Sequence, residues 1–195
     1  MIREIVKVST GAARGKRRGR LPGDPTGERS VHRMIRVDQA GEYGAMRIYQ
    51  GQLRVLGRSA SAPVIRRMAD QEQQHLDAFN AMIVRRRVRP TVLMPLWHVA
   101  GFALGAGTAL LGERAAMACT VAVEEVIDEH YAGQIERLDD DEADLRETVA
   151  AFRLDEIQHR DTGLARGAER APGYEALTAV IKAGSRLAIW LSERF

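Results

Sequence analysis

Apolar residues recur every three or four positions along most of the chain, which is the spacing of an amphipathic helix. The first such stretch follows Ser30, a predicted N-cap, and runs to about Gly57. A second begins at Ala62, with a proline in its first turn, and ends in a group of arginines before Pro90. Strictly alternating apolar and polar positions, the pattern of strands, are lacking. The pattern therefore predicts an all-α protein.

Three more helices are predicted in the second half of the chain. The third covers about residues 113–138, and an acidic turn of three aspartates follows it. The fourth covers about residues 142–168, and Pro172 precedes the last. Small and apolar residues alternate at three- and four-residue spacing in this last helix, so it should pack along one face.

One segment departs from this pattern, because residues 91–112 carry no formal charge. Pro95 and four glycines interrupt the segment, so we expect two short apolar helices that dip into one leaflet of a membrane. The arginines directly before it would suit anionic lipid headgroups. A buried hairpin of the protein core is the alternative.

Composition excludes several classes of protein. The length of 195 residues fits one domain. A single cysteine, Cys119, rules out an internal disulfide framework and a cysteine-based zinc or iron–sulfur site, and we expect it in the core. No glycine-rich phosphate loop follows a strand-like run. Aromatic residues make up only 5%, which argues against a nucleic-acid-binding module that stacks bases.

The formal charge of +3 is unevenly distributed along the chain. Residues 1–30 carry a net +5, so the remainder carries −2. We therefore divide the chain into a basic, disordered arm at residues 1–29 and a folded domain at 30–195. An arginine-rich mitochondrial transit segment and a solvated or lipid-touching tail of a bacterial protein both fit the arm.

The candidate chemistry lies in a motif that occurs twice, Glu-x-x-His at Glu72/His75 and at Glu156/His159. Residues three apart on a helix share a face, so each pair can hold one metal ion. Glu42 lies 30 residues before the first motif and Glu124 lies 32 before the second. These spacings place each glutamate opposite a Glu-x-x-His motif in an antiparallel helical hairpin.

The chain thus consists of a duplicated hairpin that contributes four carboxylates and two imidazoles. Such a set is typical of the di-iron and di-manganese bundles of ferritin-like proteins. The six predicted metal ligands are Glu42, Glu72, His75, Glu124, Glu156 and His159. Their hard oxygen donors suit iron, and a six-ligand, two-metal site argues against zinc.

Several neighbours of these residues are candidates for a role in the site. Asp155 and Gln71 each lie four residues before a motif histidine and could orient an imidazole, within a hairpin or across hairpins. Glu125 points about 100° away from Glu124 and is excluded. For His130 and Tyr131, the sequence favours a supporting role at the site and simple packing equally.

The sequence resembles the demethoxyubiquinone hydroxylase family of ubiquinone biosynthesis from about residue 30 to the C-terminus. The matching strings are RVDQAGEYGA at 36–45, DQEQQH at 70–75, RVRPTVLMPLW at 87–97, GFALGAGTALLG at 101–112, ACTVAVEE at 118–125 and AIWLSER at 188–194. One departure is Arg160, which stands where a second histidine is common in the family.

The resemblance implies two iron ions per chain, with Glu72 and Glu156 bridging them and one Glu–His pair serving each. It implies hydroxylation of the ring of a polyprenylated demethoxyquinol, with O₂ as co-substrate and NADH as electron source. It also implies electron transfer by His130 and Tyr131, a lipid-binding accessory protein as partner and a homo-oligomer. The expected location is peripheral, on the cytoplasmic face of a bacterial inner membrane or the matrix side of a mitochondrial one.

A substrate with an isoprenoid tail explains the uncharged segment as the mouth of the active site. We expect Trp97, Phe102 and Leu104 to line that mouth. Two other ferritin-like classes remain as alternatives. A ferroxidase or iron-storage protein would share the ligands but would not need residues 91–112, and a peroxide-scavenging enzyme of the rubrerythrin type usually has additional iron–sulfur cysteines.

Overall fold

A computed structural model describes residues 27–195, and in that range the chain is all-α, as predicted. The six helices are α1 (Gly27–Leu56), α2 (Ala62–Arg85), α3 (Met94–Leu110), α4 (Glu113–Ile135), α5 (Ala143–Ala165) and α6 (Tyr174–Ser192). Short 3₁₀ turns at Asp140–Glu142 and Ala168–Arg170 flank α5. No helix among the described residues is both long and apolar enough to cross a membrane.

The helices form a ferritin-like bundle from two antiparallel hairpins, which confirms the predicted fold. Helices α1 and α2 pack against each other, as do α4 and α5, and buried apolar side chains of both hairpins fill the core. Helix α3 packs along the outside of α1, and α6 packs along the outside of α4. Cys119 is buried, as predicted.

Two predicted boundaries near the start of the domain are wrong. Helix α1 begins at Gly27, so Ser30 lies inside its first turn rather than capping it. Residues 27–29, assigned to the basic arm, therefore belong to α1, and the arm that remains, residues 1–26, lies outside the described part of the chain.

The prediction of two short helices at residues 91–112 is also wrong, because one continuous helix, α3, fills most of the segment. Pro95 stands in its first turn, where it breaks no hydrogen bond. Gly101 and Gly105 face α1, where a methyl group would overlap the carbonyl oxygens of Gly44 and Ile48, respectively. These glycines allow a close approach of two helices rather than interrupting one.

We expect Gly105→Ala to separate α3 from α1. The new methyl group would overlap the Ile48 carbonyl, and overpacking of this kind costs about 1–3 kcal/mol of unfolding free energy. Gly107→Ala is the matched control, because its methyl group would meet nothing within 4 Å and should be neutral or slightly stabilising. Denaturant unfolding of both variants checks this, and equal stabilities would contradict the close packing.

Candidate metal centre

Six buried side chains from four helices converge at the middle of the bundle. They are the six predicted from the sequence, Glu42 on α1, Glu72 and His75 on α2, Glu124 on α4, and Glu156 and His159 on α5. None is more than 2% exposed. Potential ligand atoms fall into two groups, each within 4.8 Å, and Glu72 and Glu156 belong to both. The first group adds Glu42 and His75, and the second adds Glu124 and His159.

Both imidazoles present the same ring nitrogen to this centre. The Nδ1 atom of His75 lies 3.1 Å from Glu156 Oε1 and 3.4 Å from Glu42 Oε2. The Nδ1 atom of His159 lies 3.0 Å from Glu72 Oε1 and 3.2 Å from Glu156 Oε2. Each histidine therefore faces carboxylates of both hairpins, which leaves a single polar centre rather than two separate sites.

The outer nitrogens of the two rings are held across the hairpins. His75 Nε2 donates to Asp155 Oδ2 at 3.2 Å, and His159 Nε2 donates to Gln71 Oε1 at 3.1 Å. The ring of Phe152 stacks on His75 with 3.9 Å between centroids. These partners fix the tautomer, so that Nδ1 is free to accept a proton or bind a cation.

Two tyrosines that sequence reasoning missed or left undecided contact the outer carboxylates. Tyr49 Oη donates to Glu124 Oε1 at 2.8 Å, and Tyr131 Oη donates to Glu42 Oε1. Each tyrosine comes seven residues after the glutamate of its own helix and bonds to the glutamate of the other helix. Helices α1 and α4 are therefore related by an approximate twofold exchange around the centre.

Two buried glutamines extend this symmetry. Gln52 and Gln134 each follow the glutamate of their own helix by ten residues. Gln52 Nε2 donates to Ala116 O at 3.0 Å and lies 3.4 Å from Thr120 Oγ1, whereas Gln134 Nε2 donates to Asp38 Oδ1 at 2.6 Å. Asp38, Tyr49 and both glutamines escaped the sequence analysis. For Tyr49 and the glutamines, the repeated spacing from Glu42 and Glu124 is a signal that could have identified them.

The negative charges of the four buried carboxylates repel one another unless protons or cations neutralise them. Burial, together with the charges of the other three glutamates, raises the pKa of Glu72 well above its ordinary value. Burial likewise raises the pKa of Glu124. For Glu156 burial acts in the same direction, but the His159 and His75 rings beside it outweigh burial and lower its pKa.

The donor set fits two divalent cations. Carboxylate oxygens of all four glutamates and His75 Nδ1 are buried without a hydrogen-bond partner, and all of these atoms face the centre. Despite its burial, the pKa of His75 is raised to about 10 by Glu156 and Glu42, so the ring takes up a proton where a cation would otherwise sit. Two divalent ions would supply the four positive charges that four carboxylates need.

An apolar cavity of about 390 Å³ lies beside the centre, between α1, α3, α4 and α6. Its lining includes Gly41 and Val123, which directly precede Glu42 and Glu124 along the chain. Trp97 and Leu104 line it, as expected for the mouth, and the indole Nε1 of Trp97 donates to Ser192 Oγ at 3.0 Å. The cavity therefore borders α1 and α4 one residue away, along the chain, from Glu42 and Glu124.

Phe102 does not line this cavity, which corrects the third predicted residue of the mouth. The lining positions of α3 are 97, 100, 101 and 104, a single helical stripe. Phe102 lies outside that stripe and packs under the guanidinium of Arg47, 5.0 Å from the ring centroid.

The other sequence assignments have clear positions. Glu125 lies outside the centre and pairs with Lys182 of α6. Tyr131 is buried against Glu42, whereas His130 is partly exposed and contacts Gln134 and Asp38.

Fold and centre together define a ferritin-like helical bundle with two overlapping, buried carboxylate–histidine groups that could hold metal ions. A family model described as "Ubiquinone biosynthesis protein COQ7" matches residues 29–192. The chain belongs to this family.

Similar proteins come from bacteria and from mitochondria. The chain is 61% identical over 176 residues to the "3-demethoxyubiquinol 3-hydroxylase" of Rhodospirillum rubrum, covering 90% of this chain and 83% of that protein. It is 58% identical over 170 residues to the "NADPH-dependent 3-demethoxyubiquinone 3-hydroxylase, mitochondrial" of Rattus norvegicus, covering 85% and 78%. Identity to the "5-demethoxyubiquinone hydroxylase, mitochondrial" of Saccharomyces cerevisiae is 45% over 181 residues, covering 84% and 78%.

Proposed function

We propose that this chain hydroxylates the ring of a polyprenylated demethoxyubiquinol with O₂, at a centre that holds two iron ions. The names of its relatives support the reaction and the class of substrate. The observation that carries the proposal is the pair of overlapping carboxylate–histidine groups beside an apolar cavity. A ferroxidase or storage protein would have no need of an apolar cavity of this size.

The six residues would divide between the metal ions according to the two groups. Glu42 and His75 would serve one ion, Glu124 and His159 the other, and Glu72 and Glu156, which belong to both groups, would bridge them. Two iron ions would supply the redox chemistry that activates O₂. The chain holds the imidazoles in place through Asp155 and Gln71 and the outer carboxylates through Tyr131 and Tyr49.

The apolar cavity would bind the quinol ring and the first part of its tail. Its walls exclude water from the ring and offer few hydrogen bonds, so orientation comes from shape. The tail would leave between α3 and α6, where Trp97 and Leu104 stand.

The outer faces of α3 and α6 would rest on a membrane surface. Several large apolar side chains there are about half exposed or more, namely Leu96, Val99, Val180, Leu187 and Trp190. Such a surface suits a peripheral protein that receives its substrate from the bilayer. The bacterial inner membrane or the mitochondrial inner membrane would be the location, and the same face could receive a lipid-binding accessory protein or a second copy of the chain.

The electron source would be a reduced nicotinamide nucleotide. The resemblance implies NADH, whereas the names of the mitochondrial relatives specify NADPH. Product formation with each nucleotide, at equal concentration, distinguishes them.

We expect Asp155→Asn to weaken metal binding about ten- to hundredfold without unfolding the protein. The carboxylate holds the outer nitrogen of His75, and loss of such a partner typically has this effect. The matched control is Gln158→Ala, an exposed position on the same helix. Equilibrium dialysis against Fe(II) measures both, and an unchanged affinity in Asp155→Asn would contradict the orienting role.

The proposed function is tested by loading the purified chain with Fe(II) without oxygen and then adding demethoxyubiquinol, a reduced nicotinamide and air. We expect two iron ions per chain and a product heavier by one oxygen atom in mass spectrometry. Two bound ions without product would favour a ferroxidase or storage role, and no bound iron would refute the metal centre.

A further inference from the structure

The approximate twofold relation between α1 and α4 holds for their glutamates, tyrosines and glutamines but not for most of the other positions around them. Four residues before the glutamate stands Asp38 in α1 but Thr120 in α4. Six residues after the glutamate stands Ile48 in α1 but His130 in α4. Because the surrounding tyrosines and glutamines match, these two differences mark different tasks for the two halves.

Ile48 and His130 line different cavities. Ile48 lines the apolar cavity proposed for the quinol. His130 lines a second cavity of about 210 Å³ between α4 and α6, with Glu129 and Arg186 among its other lining residues. Glu129 and Arg186 form an exposed ion pair at 2.9 Å. The second cavity is therefore open to water and ions, whereas the lining of the first is mostly apolar.

His130 connects this cavity to a fully buried acid. Its side chain is 13% exposed, whereas the Asp38 side chain is not exposed at all, and Nε2 of the ring lies 3.4 Å from Asp38 Oδ1. Gln134 Nε2 donates both to Asp38 Oδ1 and, at 2.8 Å, to His130 Nε2. A neutral ring thus accepts from Gln134, and a protonated ring can donate to Asp38, so both states of His130 have a partner.

Asp38 in turn lies one helical turn before Glu42 on the same face of α1. Its Oδ2 atom is buried without a hydrogen-bond partner, so this oxygen can accept a further hydrogen bond or a proton. Burial raises the pKa of Asp38, and His130 and Gln134 oppose this shift. The other groups that face it electrostatically are Glu42 on its own helix and Tyr131 on α4.

The proposed reaction needs such a connection. Conversion of a ring C–H to C–OH by O₂ takes up two electrons and two protons, with the second oxygen atom leaving as water. A reduced nicotinamide supplies both electrons and one proton as a hydride, and solvent supplies the other proton. Protons must therefore reach the reacting oxygen inside a bundle whose six predicted ligands are at most 2% exposed.

We propose that His130 and Asp38 carry protons from the second cavity to the buried centre, while the apolar cavity, which shares Ile189 with the second, admits the substrate. This inference rests on the proposed function. Asp38 acts as a proton-relaying residue, and Gln134 holds Asp38 and His130 in register.

Asp38→Asn tests the relay, because asparagine keeps the shape and the hydrogen bond from Gln134 but cannot carry the proton. We expect product formation to slow about ten- to hundredfold in kcat with little change in KM. The solvent deuterium isotope effect on kcat should rise, because proton delivery becomes rate-limiting. Asp38→Glu should recover most of the rate, and Thr120→Val, the symmetry-related control, should keep both rate and isotope effect.

The outcomes separate this inference from the proposed function. If the wild-type protein forms no hydroxylated quinone, the function is wrong and the relay falls with it. If the wild type forms product and Asp38→Asn does so at the same rate, the relay alone is wrong. Slower turnover with an unchanged isotope effect would indicate a structural role of Asp38, or electron transfer through His130, and would also overturn the relay.

A second measurement does not depend on activity. In the full chain loaded with diamagnetic Zn(II), NMR follows the ring nitrogens of His130 among the five histidines. Asp38→Asn should shift the Nε2 resonance of His130, because this atom lies 3.4 Å from Asp38 Oδ1. An unchanged resonance would overturn the coupling. If Asp38→Asn does not fold, His130→Asn should show the same slow turnover and enlarged isotope effect.

Discussion

Replacing Glu72 by glutamine is expected to abolish hydroxylation and yet to stabilise the metal-free protein. Glu72 belongs to both ligand groups, so its loss weakens the binding of both ions. The metal ions would no longer stabilise the transition state of hydroxylation by several kcal/mol. Product formation should therefore fall at least about 10³-fold.

The opposite effect on stability follows from the pKa of Glu72. Burial and the charges of Glu156, Glu42 and Glu124 raise it well above the ordinary value. A carboxyl group with a raised pKa destabilises the folded state at every pH above its ordinary pKa, and therefore at pH 7. Glutamine is neutral and can donate to carboxylate oxygens that have no partner, so the free energy of unfolding should rise by about 1–3 kcal/mol.

Glu125→Gln is the matched control for this prediction. Glu125 neighbours Glu124 but lies outside the centre, in a partly exposed pair with Lys182. Its replacement should leave iron content and turnover unchanged and alter stability by less than about 1 kcal/mol. Urea unfolding with and without Fe(II) measures the difference. A Glu72→Gln protein that is less stable without metal would show that the four carboxylates do not repel one another in the folded state.

The double variant Trp97→Ser, Leu104→Ser is expected to lose at least about 10²-fold in kcat/KM for a quinol with a long tail. Each side chain contributes apolar wall to the proposed tail path, and burial of a large apolar side chain is worth about 1.5–3 kcal/mol. The loss should appear mainly in KM, with iron content unchanged. A substrate with a short tail should be affected much less, because it does not reach these positions.

Phe102→Ser provides the control on the same helix. Phe102 is apolar and partly buried, but it packs against Arg47 rather than into the cavity. It should leave kcat/KM within a few-fold of the wild-type value. Equal losses for Phe102→Ser and the double variant would show that helix α3 contributes only its stability, and that the tail leaves elsewhere.

The six side chains that meet at the centre could be predicted from the sequence because each half of the site lies within one helical hairpin. The spacing of three within Glu72/His75 and Glu156/His159 places both groups on one face of a helix whatever the rest of the chain does. The intervals to Glu42 and Glu124 depend only on hairpin length. Local geometry therefore determines which six side chains meet.

Helix α3 could not be predicted in the same way, because its glycines have a tertiary role. In isolation, Gly101 and Gly105 weaken a helix, and that property led to the prediction of two short helices. In the fold they allow the backbone of α3 to approach that of α1, which a sequence pattern does not reveal. The error at Phe102 could have been avoided from the sequence. The helix face that contains Trp97 and Leu104 does not include position 102.

The outer network was missed for a different reason. Asp38 and Gln134 are polar residues in helix interiors, and each alone is typical of a solvated surface. Their meaning comes from the contact between them, which joins α1 to α4 across 96 positions of the chain. Only a comparison of the two halves, glutamate by glutamate, would have shown Tyr49 and Tyr131, or Gln52 and Gln134, as equivalent.

The most direct measurement is product analysis under ¹⁸O₂, with the iron-loaded chain, demethoxyubiquinol and a reduced nicotinamide. We expect one ¹⁸O atom in the hydroxyl group of the quinone ring and the other in water, and no labelled quinone with Glu72→Gln. A hydroxylated product that carries oxygen from water instead, or iron-loaded protein that consumes ¹⁸O₂ without labelling the ring, would contradict the proposed function.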